Sequence, residues 1–155
     1  MTQAEVEREF AVFVEAVEPR LLRALAAAYG PEVGRDATQD ALAYAWEHWP
    51  AVSELSSPVG YLFRVGQSQS RKYRRRSVRF PATSPAELPD IDPRLPAALG
   101  RLSRMQRVAV VLLYVEELSE RETAEALGLS RATVRKHAER GLAKLQRALG
   151  VSDGT

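Results

Sequence analysis

The stretch Ser119–Leu149, SERETAEALGLSRATVRKHAERGLAKLQRAL, constrains this chain more than any other. Ser119 followed three residues later by Glu122 is a capping box and predicts a helix start. Gly128 after Leu127 predicts its end, because glycine takes the left-handed conformation of a helix C-cap without a side-chain penalty. Ser130 then caps a second helix. Along that helix Val134, Ala138, Leu142, Leu145 and Leu149 recur at three- and four-residue steps and make one apolar face. Arg131, Thr133, Arg135, Lys136 and Arg140 lie off it. The spacing is that of a helix-turn-helix: Ala124 is small where the helices cross, Gly128 turns the chain and Val134 plugs the second helix onto the first. The second helix is then expected in a major groove, with its N-terminal side chains on base edges. An ordinary helical hairpin with a solvated basic face is the plainer reading.

The rest of the chain must complete a core around this hairpin. At 155 residues with 45% hydrophobic content it has the material for one domain or two small ones. It has no cysteine, which excludes disulfides and thiolate metal sites. No apolar run is long enough to span a membrane. The start, MTQAEVEREF, is no signal peptide, so the expectation is a soluble, cytoplasmic protein.

Val6, Phe10, Phe13, Val14 and Val17 predict a helix ending near Pro19. Leu21, Leu22, Leu25, Ala28 and Tyr29 predict a second, stopped at Gly30-Pro31. A third is expected from about 32 to 49, with Val33, Ala37, Ala41, Leu42, Ala45, Trp46 and Trp49 inward. Asp36, Gln39 and Asp40 form a polar stripe on its other side. Residues 51–57 read as a polar loop. Ser57-Pro58 restarts the chain as cap and first helical residue. The helix that follows carries Tyr61, Phe63 and Arg64, and runs into Arg71, Lys72, Tyr73, Arg74, Arg75 and Arg76. No acid lies between Arg64 and Arg79. Cations interleaved with rings suit a polyanion with exposed bases; a solvated face is the plainer alternative. Pro81, Pro85, Pro89 and Pro93 mark a linker. Leu95–Leu102 and a helix capped by Ser103 and Gln106 lead into the hairpin. The expected fold is all-α: two small helical domains, 1–77 and 94–150, joined by a Pro-rich linker over 78–93.

Other chemistry finds little support. Asp36 and Asp40 share a face, but no histidine or further acid completes a metal site. His48 and His137 are isolated and read as surface or structural. Trp46 and Trp49 read as core. There is no nucleophile elbow, phosphate loop or paired-acid constellation, so neither an enzyme nor a cofactor is expected.

Three blocks together resemble the compact bacterial sigma factors of the extracytoplasmic-function group. Gly34–Trp46, GRDATQDALAYAW, is similar to that family's polymerase-binding helix. Pro58–Val65 followed by Arg74–Arg76 is similar to the helix that opens the −10 promoter element. Leu99–Leu149 is similar to the domain that reads the −35 element. The resemblance implies an alternative sigma factor that binds core RNA polymerase and promoter DNA, as duplex and as single strand. It implies polymerase contact by Asp36, Gln39 and Asp40. It assigns strand opening to Ser53, Ser56, Tyr61, Arg64, Arg71, Arg74 and Arg75, and −35 recognition to Arg131, Thr133, Arg135, Lys136 and Arg140. An anti-sigma protein is a common partner in the group. Tyr61, Ser68 and Lys72 depart from the family's usual Trp, Asn and Asp. The competing readings are a stand-alone dimeric helix-turn-helix regulator and a module that contacts only proteins.

Overall fold

The computed structural model describes residues 1–72 and 93–150, and all its regular elements are helical. The first, α1 (Gln3–Tyr29), opens with a capping box between Thr2 and Glu5. It continues through Pro19, where the sequence predicts a break. Proline removes one intrahelical hydrogen bond, to the carbonyl four residues earlier. Here Pro19 and Glu15 both face solvent, so water can satisfy that carbonyl and the helix need not end.

Gly30 leads into α2 (Pro31–Glu47), which has proline in its first turn. The two helices approach closely because small residues meet: Ala24, Ala27 and Ala28 on α1, and Ala37, Ala41 and Ala45 on α2, are all buried. Gly34 is required at this crossing, since a Cβ there would stand 2.5 Å from the backbone nitrogen of Ala26. A short helix, α3 (Trp49–Val52), follows. Its Pro50 sits in the first turn, where proline is tolerated, and Val52 is buried. The polar loop therefore begins at Ser53.

Next comes α4 (Pro58–Ser70), with Pro58 in its first turn as predicted. Ser57 precedes it, but its side chain makes no capping hydrogen bond. Leu62 and Phe63 are fully buried against α1 and α2. Each such side chain contributes about 1.5–3 kcal/mol relative to exposure. Phe63, read from sequence among rings available to nucleic acid, is a core residue instead. Trp49 is buried as expected, whereas Trp46 is 39% exposed.

The second half begins with α5 (Leu95–Leu99) and α6 (Arg104–Val110), the latter started by the predicted box of Ser103 and Gln106. The apolar run continues as one π-helical segment, Val111–Val115. The hairpin follows as α7 (Glu120–Leu127) and α8 (Arg131–Ala148). The buried core is continuous between the two halves. At the join, α1 meets α6 and Val111–Val115, and α4 meets α7.

Two buried charges cross that join in opposite directions. The Arg107 guanidinium, 4% exposed, donates to the carbonyls of Ala27, Ala28 and Leu102. It thereby satisfies carbonyls at the C-terminal end of α1, where a cation is favoured. Burial, with Arg104 nearby, pushes its pKa down to about 10. In return Arg23 from α1 pairs with the Glu116 carboxylate at 2.8 Å, and Arg20 donates to the Glu116 carbonyl at 2.6 Å. Burial raises the Glu116 carboxyl above its ordinary value, against the opposing pull of Arg23 and Arg20.

Candidate nucleic-acid interface

The hairpin has each local feature that its spacing predicts. Ser119 Oγ accepts from the Glu122 N–H at 3.0 Å, and the Glu122 carboxylate accepts from the Ser119 N–H at 2.9 Å. That reciprocal cap, led by the Ser119 N–H, holds the Glu122 carboxyl below its usual range. Gly128 is left-handed at φ 67° and ψ 34°, and its N–H reaches the Ala124 carbonyl. Ser130 Oγ accepts from the Thr133 N–H at 3.1 Å and donates to the Thr133 hydroxyl at 2.8 Å. Val134 and Ala138 are buried.

Those burials turn the remaining faces of α8 outward. Arg131, Arg135, Lys136 and Arg140 are exposed, and Thr133 is half-buried. The row is thus presented as the sequence predicts, with one addition. Arg135 makes a two-pronged pair with Glu120 of α7, at 3.0 Å from Nε and 2.9 Å from Nη2. The hydrogen bond from Arg135 lowers the Glu120 carboxyl, and the same bond raises Arg135. Glu120 therefore aims the guanidinium along the edge of the hairpin.

A second surface lies where the loop meets α4. A cleft of about 310 Å³ is lined by Leu55, Ser56, Ser57, Gly60, Tyr61 and Arg64. Its far wall is α7, through Glu122, Glu125 and Ala126. Three of the sequence-predicted residues, Ser56, Tyr61 and Arg64, come together here. Ser53 does not: its hydroxyl donates to the Pro50 carbonyl at 3.1 Å, and it lines a separate groove with Met1, Trp46, Trp49 and Glu54. Tyr61 is 40% exposed, so it is not a packed core ring. Arg71 is exposed at the end of α4. Arg74 and Arg75 lie outside the described residues.

The polar stripe of α2 is the third surface. Gln39 is exposed, and Asp36 and Asp40 are half-buried. Asp40 is paired with Lys72 Nζ at 3.2 Å, which ties this stripe to the start of the basic run. No group of acids or histidines among the described residues suits a metal. No helix among them is long and apolar enough to cross a membrane.

Sequence reasoning missed two sets of residues. The charged anchors Arg23, Arg107 and Glu116 give one signal only, charges set within or beside apolar runs. Tyr44 and His48 gave none beyond being aromatic. The Tyr44 hydroxyl lies 3.0 Å from that of Tyr61, and this bond raises the Tyr44 phenol above its ordinary value.

The chain is similar to known proteins over most of its length. Residues 93–145 match the model of "Sigma-70, region 4". The RNA polymerase sigma-E factor of Streptomyces antibioticus is 31% identical over 166 positions, covering 99% of this chain and 91% of that protein. That of Streptomyces coelicolor is 31% identical over 156 positions, 94% of this chain and 88% of the relative. Among solved structures, the sigma factor RpoE in complex with the anti-sigma factor NepR from Bartonella quintana matches with a TM-score of 0.76 at 24% identity, over 94% of this chain and 99% of that one. CnrH in complex with the cytosolic domain of CnrY matches with a TM-score of 0.64 at 26% identity, over 95% and 91%.

Proposed function

The chain belongs to the extracytoplasmic-function group of RNA polymerase sigma factors, and on that premise we propose how its surfaces divide the work of initiation. It is an alternative sigma factor: it associates with core RNA polymerase and promoter DNA and directs the start of transcription. The division of labour is carried by one observation. Two surfaces of different character occur in one chain, a cation-bearing helix-turn-helix and a cleft beside an exposed ring.

In this reading the region from 94 to 150 recognises duplex at the −35 element. Arg131, Thr133, Arg135 and Lys136 reach base edges, and Arg140 meets phosphate. The region from 1 to 77 holds polymerase through Asp36, Gln39 and Asp40, and opens the −10 element. A base that leaves the stack costs a few kcal/mol and needs a pocket. The cleft supplies one, with Ser56 as polar edge and Tyr61 as ring. Arg64, Arg71, Arg74 and Arg75 hold phosphates and make the step salt-dependent. Residues 78–93 act as the tether that lets two weak readers bind as one.

The closed arrangement places Glu122 and Glu125 on the wall opposite Arg64 and Tyr61. A strand entering the cleft must displace α7, so the halves separate on polymerase. A protein that stabilises the closed form would act as an anti-sigma factor, the kind of partner seen with the Bartonella sigma factor. A dimeric repressor or activator is not favoured, because the sigma-E relatives align over nearly the whole chain.

Permanganate footprinting of a promoter with the reconstituted holoenzyme tests the opening step. The double variant Tyr61→Ala, Arg75→Ala is expected to keep the closed complex and lose thymine reactivity near the start site. Undiminished reactivity would refute the assignment.

A further inference from the structure

Tyr44 and His48 belong to none of the surfaces assigned above. The Tyr44 ring lies on the His48 imidazole, with centroids 3.9 Å apart and planes 17° from parallel. His48 Nδ1 is 3.0 Å from the Tyr44 carbonyl oxygen, which fixes the imidazole at the end of α2. On its other side Tyr44 meets Tyr61, with hydroxyls 3.0 Å apart and ring centroids 6.2 Å apart at a tilt of 44°. The three rings form one strip from the cleft to the end of α2.

A strip that only braced the fold would be covered. Trp49, on which Phe10 and Phe13 pack edge to face, is covered in that way. Here the middle ring is half-buried and both outer rings are exposed. Their orientation is already set by hydrogen bonds, so little rotamer freedom is lost when a flat ligand settles on them. Every base has a π-face, so rings at intervals suit successive bases of a single strand.

We propose that Tyr61, Tyr44 and His48 form a platform with two base-stacking positions for the opened strand. Tyr61 takes a base at the cleft. The outer face of His48, backed by Tyr44, takes a base further along. This rests on the reading that the strand lies over the cleft. The two positions differ in electrostatics. Arg64 lines the cleft beside Tyr61, whereas the chain neighbour of His48 is the exposed acid Glu47. The His48 position is therefore stacking without phosphate neutralisation, and its contribution does not follow the salt dependence of the arginines.

The test uses holoenzyme assembled from this chain and core RNA polymerase. Its ligand is a promoter single strand carrying 2-aminopurine, whose emission falls on stacking, at each position in turn. Wild-type protein should quench two positions. His48→Ala should release one of them and weaken strand binding roughly ten-fold, by the same factor at low and high salt. His48→Phe should restore both effects, which a loss of folding would not allow. Tyr61→Ala should release the other position. If Tyr61→Ala acts and His48→Ala leaves all quenching intact, the platform is refuted and strand capture stands. Failure of His48→Phe to restore what His48→Ala loses refutes the platform as well. If neither variant changes quenching, the strand-capture reading falls and takes the platform with it.

Discussion

Arg135 sits between two partners that compete for it. In the free protein its fork is filled by the Glu120 carboxylate; on a promoter the same fork would face a base edge or a phosphate. Glu120→Ala should therefore raise affinity for duplex and blur sequence preference, because it removes both a repelling acid and the group that aims the guanidinium. Arg135→Ala should change preference by roughly ten-fold at one base pair, while Arg140→Ala should weaken all sequences alike. Binding-site selection with each variant, at fixed salt, separates these outcomes; unchanged preference in Arg135→Ala would remove it from direct readout. The exposure of Arg135 was legible in the sequence, since it lies off the Val134–Ala138 face. Its partner was not, because Glu120 is fifteen residues away and meets it only through the crossing of two helices. Tyr61 and Phe63 show the same limit. Both occur in one amphipathic helix start, and only the packing of α4 sends one ring outward and the other into the core.

At the scale of elements, helix starts and stops were the most legible features. The boxes at Ser103 and Ser119, the cap at Ser130 and the left-handed Gly128 are local, so a few residues suffice to specify them. Proline was less uniform. Pro19 reads as a terminator and lies inside a helix, because its cost depends on whether the lost hydrogen bond faces water, whereas Pro50 follows the end of α2 and sits in the first turn of α3, where no intrahelical bond is lost. The tight α1–α2 crossing was not foreseen, although both helices are rich in alanine. Gly34→Ala should cost about 1–3 kcal/mol in a urea titration, since its Cβ would meet backbone rather than a movable side chain. A midpoint unchanged from wild type would contradict the packing. On the opposite face of α2, Asp40→Lys should abolish association with core polymerase and leave the circular dichroism unchanged. Loss of helix content would make the residue structural, through its pair with Lys72.

At the scale of the whole molecule, the join between the halves is the feature the sequence left open. A hydrophobic pattern gives each helix a buried face but not the helix that covers it. The join is held by apolar contacts and by two buried charges, Arg107 and Glu116. Glu116→Ala removes the carboxylate that Arg23 holds across the join and should loosen it by about 1–3 kcal/mol; Glu116→Gln keeps the hydrogen-bonding shape and should loosen it far less. Small-angle scattering, read as radius of gyration, separates the two variants. The pH dependence has a defined sign. Burial raises the Glu116 carboxyl, so the closed form holds that proton to a higher pH than an opened form. This group's contribution to closure is full below the ordinary carboxylate pKa and is lost as pH rises through the raised value. Glu122 is shifted the other way mainly by its own helix cap, so most of its shift is shared by both forms. Closure in wild type should strengthen on acidification relative to Glu116→Gln; an identical pH profile would contradict it. Transcription tests the central claim most directly: core RNA polymerase, which alone gives no specific start, is mixed with this chain on a library of bacterial promoters. The account predicts transcripts from a defined subset of start sites that share upstream and downstream elements, and their loss with Asp40→Lys. An unchanged transcript pattern on addition of the folded chain would contradict it.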